Sequence, residues 1–104
     1  MDQTETRYQS FTEFYPFYLQ EHQNTTCRRL HFIGSACVLI CLGYTLLTQQ
    51  WLYLFALPVI GYGFAWVGHF FFEHNRPATF KYPVYSLIGD WVMFKDILSG
   101  KINW

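Results

Sequence analysis

The sequence predicts an all-α integral membrane protein, a helical hairpin of two spans with an amphipathic interfacial helix at each end. Three observations carry this. No Asp, Glu, Lys or Arg occurs between Leu30 and Phe72. Thr48-Gln49-Gln50 is the only polar break in that block, leaving apolar runs at about 30–47 and 51–72. Charged residues make up only 13% of the chain and apolar residues 52%, whereas a soluble domain carries roughly 25% charged residues. With 104 residues the chain has the length of a single membrane domain, 1–104. Its net charge is +0 and its few basic residues are interleaved with acids, which argues against nucleic-acid binding.

Taken in order, Met1 to Glu21 mixes acids, polar residues and aromatics and has no signal-peptide pattern. Phe11, Phe14, Tyr15, Tyr18, Leu19 and His22 recur at helical spacing, with Ser10 and Glu13 as a capping box. Pro16 argues for a late start or a bend. The segment is amphipathic and suited to the membrane interface. The run 30–47 is short for a span and fits with little tilt, while 51–72 is comfortably long, since spanning takes roughly 20 residues. Pro58 predicts a kink in the second span. Gly61, Ala65 and Gly68 form a small-residue stripe for close contact with the first span or with a second copy of the chain, a homo-oligomer. Pro77 and Pro83 mark a loop. A last helix from Val84 places Leu87, Trp91, Phe94 and Leu98 on one face and ends at Gly100, and Asp90, Lys95 and Asp96 keep it at the interface.

A hairpin brings both flanks to one side. Those flanks carry Arg28, Arg29, Arg76, Lys81, Lys95 and Lys101, and the connecting loop carries no charge. The positive-inside rule then puts both termini in the cytoplasm. The alternative, two buried helices of a soluble bundle, leaves too little polar chain to cover them.

Cys27, Cys37 and Cys41 are odd in number, and two lie inside the apolar run, so they read as small packing residues rather than a disulfide framework. A metal role for the Cys37/Cys41 pair is the weaker reading. The histidines carry more. His31 opens the first span and His69 closes the second, so a hairpin brings them to one depth, with His22 and His74 just outside it. His69 and Glu73 lie one helical turn apart, a spacing at which a histidine and a carboxylate can share a metal ion. Non-haem Fe(II) oxygenases use two histidines and a carboxylate, and ionisable groups at membrane depth are usually functional. The bland readings are a half-buried interfacial ring for His22, a helix–helix hydrogen bond for His31 and a solvated loop residue for His74. Arg28, Arg29 and Arg76 gather at the same edge, where they suit anionic lipid headgroups or the carboxylate of an acyl substrate.

His22-Gln23-Asn24, Arg29-Leu30-His31-Phe32-Ile33-Gly34, Gly68-His69-Phe70-Phe71-Phe72-Glu73 and Asn75-Arg76-Pro77-Ala78-Thr79 together resemble the 2-hydroxy fatty acid dioxygenase family. The resemblance runs from about Tyr8 to Trp104. It implies an enzyme of fatty acid α-oxidation that uses Fe(II) and O₂ to convert a 2-hydroxy fatty acid into an acid one carbon shorter. It also implies which membrane: the endoplasmic reticulum for a eukaryotic chain, the inner membrane for a bacterial one. Carried over by position, it implies His22, His31 and His69 as iron ligands, with His74 a more doubtful fourth. Glu73 becomes a ligand or a group orienting one. Asn24 and Asn75 hold the loops around the site, beside Arg28 and Arg76 as substrate contacts. Two other readings compete. A membrane di-iron hydroxylase or desaturase resembles sets of about eight histidines, more than this chain has. A non-catalytic membrane scaffold or lipid-binding protein would use the histidines for packing or pH sensing.

Overall fold

The first span is longer than its apolar run because its start is set by a cap. In the computed structural model, which describes residues 7–104, α2 covers Thr25–Thr48. Asn24 is its N-cap, with Oδ1 accepting from the Cys27 N–H at 3.1 Å, so one otherwise unpartnered backbone donor is satisfied. Residues 1–6, part of the stretch read above as lacking a signal pattern, lie outside the described residues. The described residues form four α-helices and no strand. They are α1 Phe11–Gln20, α2, α3 Ala56–Val67 and α4 Pro83–Leu98.

The hairpin turns where expected. α2 closes on Gln49 in the left-handed conformation (φ 58°), whose N–H bonds Thr45 O at 2.7 Å. The second span, Trp51–Glu73, is built in three pieces. A 3₁₀ segment Trp51–Phe55 leads into α3, which passes into a π-helical segment Gly68–Glu73. Pro58 sits in the first turn of α3 just after the 3₁₀ segment, where a missing N–H is tolerated.

Both span helices are long and apolar enough to cross a membrane. They are also mostly uncovered, with 22% of the apolar window buried in the first and 11% in the second. Core helices of a soluble bundle would be largely buried, so the soluble-bundle alternative fits poorly. Ile40, Leu47, Leu52, Phe55 and Phe71 point outward, Leu47 at 88% exposure, as expected of side chains that face lipid. The small-residue stripe is turned toward α2 of the same chain: a Cβ on Gly68 would meet Cys27 atoms at 3.0–3.4 Å, and one on Gly61 would meet Val38 at 3.6 Å.

The amphipathic end helices pack on each other. Phe14 and Tyr18 of α1 are fully buried with Tyr82 and with Met93 of α4. Two hydrogen bonds pin the pair: Tyr15 Oη donates to Asp96 at 2.8 Å, and Tyr18 Oη donates to Asp90. α1 runs unbroken through Pro16, contrary to expectation, because the proline ring lies on the exposed side while the opposite face is held by α4. Its cap is half of a capping box. Ser10 Oγ accepts from the Glu13 N–H at 3.2 Å, but the Glu13 carboxylate accepts from Gln9, one residue before the reciprocal partner. α4 starts with Pro83 at its first turn, and Gly100 adopts φ +85° just past its end. Its buried side is Ser86, Gly89, Met93 and Asp96, while Leu87 and Leu98 of the apolar stripe stay exposed.

Candidate metal centre

Three histidines from three separate elements meet where α1, α2 and the π-helical segment converge. His22 follows the end of α1, His31 lies early in α2, and His69 is the second residue of the π segment. Their ring centroids are 4.3, 4.5 and 4.9 Å apart in the three pairings, and all three are buried. Gly68 makes the approach possible, because a side chain there would press on the Cα, O and Sγ atoms of Cys27. The bare backbone lets the second span lie against α2, with His69 beside His31.

Each imidazole is oriented by an oxygen at Nδ1. His22 Nδ1 donates to Tyr18 O at 2.6 Å, His31 Nδ1 to Cys27 O at 3.1 Å, and His69 Nδ1 to Asn75 Oδ1 at 2.7 Å. A carbonyl oxygen only accepts, so each Nδ1 carries the proton. The Asn75 amide is fixed in turn, its Nδ2 donating to Glu21 O at 3.2 Å and Glu21 Oε1 at 3.3 Å. The three Nε2 lone pairs are therefore free. His22 Nε2 and His31 Nε2 face each other at 3.0 Å. Two such lone pairs repel unless a cation stands beside them, and neighbouring nitrogens about 2.1 Å from one ion stand about 3.0–3.4 Å apart, from octahedral to tetrahedral geometry. Histidine ligands anchored at the distal nitrogen by an oxygen are the usual metal-site arrangement. Burial first, then the His31 and His69 rings, holds His22 well below its ordinary pKa, so it is neutral and able to ligate.

Cys27 joins the group. The ligand atoms of His22, Cys27, His31 and His69 all lie within 4.8 Å of one another. The sequence reading assigned all three cysteines to packing, with a metal role for Cys37 and Cys41 as the weaker alternative, and those two are outside the cluster. Nothing in its spacing distinguished Cys27, and its position depends on the contact with Gly68.

The other sequence-derived candidates are placed elsewhere. His74 is exposed in a left-handed turn (φ 61°). Its N–H closes the π segment on His69 O, so its ring is carried away from the centre. Glu73 accepts from the Asn24 N–H and is not in the ligand group. That bond to the cap residue of α2 holds its carboxylate at the start of the first span. Asn24 caps α2 and Asn75 holds His69. Arg28 Nη1 donates to His22 O at 3.1 Å and Gln23 O at 3.0 Å, bracing the turn into α2. Arg76 is exposed, its guanidinium 5.2 Å from the Phe80 ring centroid. None of Arg28, Arg76, Asn24 and Asn75 lines the cavities described next.

Two cavities adjoin the cluster. One, about 10 Å³, is lined by the three histidines with Tyr18, Tyr62, Trp66, Asp90 and the Pro77-Ala78-Thr79 turn. It has room for about one water or ion. The other, about 300 Å³, runs from His31 between α2, α3 and α4 past Val38, Leu57, Pro58 and Gly61 to Leu87 and Trp91. Its lining is mostly apolar. His31, Tyr62, Ala65 and Asp90 line both, so an ion-sized polar chamber opens onto an apolar channel.

The profile of a family described as 2-hydroxy-palmitic acid dioxygenase Mpo1-like matches residues 8–102. No curated protein and no solved structure matches the chain.

Proposed function

The chain belongs to the Mpo1-like family, and we propose that it is an Fe(II)-dependent dioxygenase that oxidises 2-hydroxy fatty acids to acids one carbon shorter. The observation that carries this is the meeting of three oriented imidazoles, their Nε2 atoms unprotonated, with the mouth of an apolar channel. His22, His31 and His69 would hold the ion, with the Cys27 thiol within reach. Bound there, Fe(II) supplies the one-electron chemistry by which O₂ attacks an organic acid.

The chain's own residues account for the rest of the arrangement. Val38, Leu57, Pro58, Ala65 and Leu87 offer a dry wall for the acyl chain, each buried CH₂ contributing about 0.8 kcal/mol. The head, with its carboxylate and 2-hydroxyl, then rests at the histidines. Tyr18, stacked on His22 at 4.2 Å, and Trp66 close the chamber against water. The substrate lies in the bilayer beside the two spans, with its head at the interface, the edge on which both termini and the basic flanks fall. By the charge asymmetry that edge is cytoplasmic.

The test is to load the detergent-purified protein with Fe(II) and add 2-hydroxyhexadecanoic acid and O₂. Pentadecanoic acid should form, and should be lost on chelation and in His69→Ala. A non-catalytic scaffold would consume no oxygen at any chain length while folded and iron-loaded, and that result would overturn the proposal.

A further inference from the structure

Asp90 is a half-buried carboxylate to which the three-histidine cluster assigns no task. It lines both the ion-sized chamber and the apolar channel, and so stands where one opens into the other. One of its oxygens, Oδ1, accepts from Tyr18 Oη, and Tyr18 stacks on His22. Gly89 makes this contact possible: a Cβ there would meet Tyr18 ring atoms at 3.0 Å, so the bare backbone lets the ring lie flat on α4. Asp90 is not among the groups that could share the ion. No positively charged side chain lines either cavity. What remains is a carboxylate held on one oxygen by Tyr18, at a residue that lines both cavities.

We propose that Asp90 is the specificity-determining residue for the substrate's 2-hydroxyl, accepting its hydrogen bond through Oδ2 and so selecting 2-hydroxy acids over unsubstituted acids. This rests on the reading of the channel as an acyl site. The position fits the demand. A chain lying along Leu57, Val38 and Leu87 with its carboxylate at the histidines carries its second carbon past the junction that Asp90 lines. An ionised carboxylate only accepts, so it pairs with a hydroxyl and gains nothing from the CH₂ of an unsubstituted acid. A site built around such a bond rejects ligands that lack it, because the buried acceptor is then left unpaired.

The test uses the full chain in detergent, loaded with Fe(II) under nitrogen so that binding is read without turnover. Trp91 and Trp66 line the two cavities and report occupancy by fluorescence. Wild-type protein should bind 2-hydroxyhexadecanoic acid at least about tenfold more tightly than hexadecanoic acid. In Asp90→Asn, which keeps an oxygen for Tyr18 but turns an amide donor to the cavity in place of an acceptor, the preference for the 2-hydroxy acid should fall severalfold, with iron content unchanged. Asp90→Glu should recover part of the preference. If Asp90→Asn keeps the wild-type preference, or weakens both acids equally, the assignment to Asp90 falls and the dioxygenase reading stands. If wild-type protein shows no preference and forms no shortened acid in air, both fall.

Discussion

His22 Nε2 and His31 Nε2 stand 3.0 Å apart, each on a ring whose Nδ1 already donates to a backbone carbonyl oxygen. Neither nitrogen has a proton to offer the other, so the contact is repulsive until a cation occupies it. Metal removal should therefore destabilise the fold as well as abolish activity. A ligand held at a hundred times its dissociation constant stabilises the native state by about 2.7 kcal/mol. Thermal unfolding with and without chelator should show a drop of several degrees in the wild type and none in His31→Ala, which has no metal to lose.

Asn75 acts through His69. Asn75→Ala leaves His69 Nδ1 without its acceptor and should weaken metal binding about 10–100-fold, the usual effect of removing such a partner. Asn75→Asp keeps the oxygen and should retain most of the affinity. His74→Asn, at an exposed left-handed position that asparagine tolerates, should leave affinity unchanged. Metal titration of the three variants checks all of this.

The spans and the hairpin were readable because they are one-dimensional: a missing charge and a three-residue polar break show directly in the sequence. The meeting of His22, His31 and His69 followed from topology, since a hairpin equates the start of one span with the end of the other. Glu73 was aligned with His69 by helical spacing, but its carboxylate accepts from the Asn24 N–H at the cap of α2, a partner far away in the chain that residue type does not mark. Cys27 was hidden for another reason. Its place in the cluster depends on how closely Gly68 approaches it, a contact between residues far apart in the chain. Asp90 read as a charge holding α4 at the interface, and only the packing of Tyr18 against Gly89 brings it, half-buried, to the cavities.

That close approach can be tested. Gly68→Ala places a methyl group 3.0 Å from Cys27 Sγ and 3.2 Å from its Cα, and the backbone of α2 cannot swing aside as a flexible side chain would. Overpacking of this kind typically costs about 1–3 kcal/mol. A lower unfolding midpoint with weakened metal binding is expected. Gly63→Ala, which meets nothing within 4 Å, should show neither.

Burial pushes Asp90 up to about 6 from 3.8, against the lowering effect of its Tyr18 hydrogen bond. The folded state thus holds this proton more tightly than the unfolded state does. Below the unfolded value both states are protonated and there is no penalty. As pH rises from about 4 through 6, the unfolded chain ionises first and stability falls, by up to a few kcal/mol. Denaturant unfolding of the chelated protein should show that decline, and Asp90→Asn should flatten it over the same window.

The central claim is that three imidazole nitrogens hold one metal ion, and X-ray absorption at the iron edge of the Fe(II)-loaded protein tests it most directly. The account predicts about one iron per chain, with imidazole scattering from three histidines that declines in His69→Ala. Folded wild-type protein that binds no iron, or binds it without imidazole scattering, would contradict it.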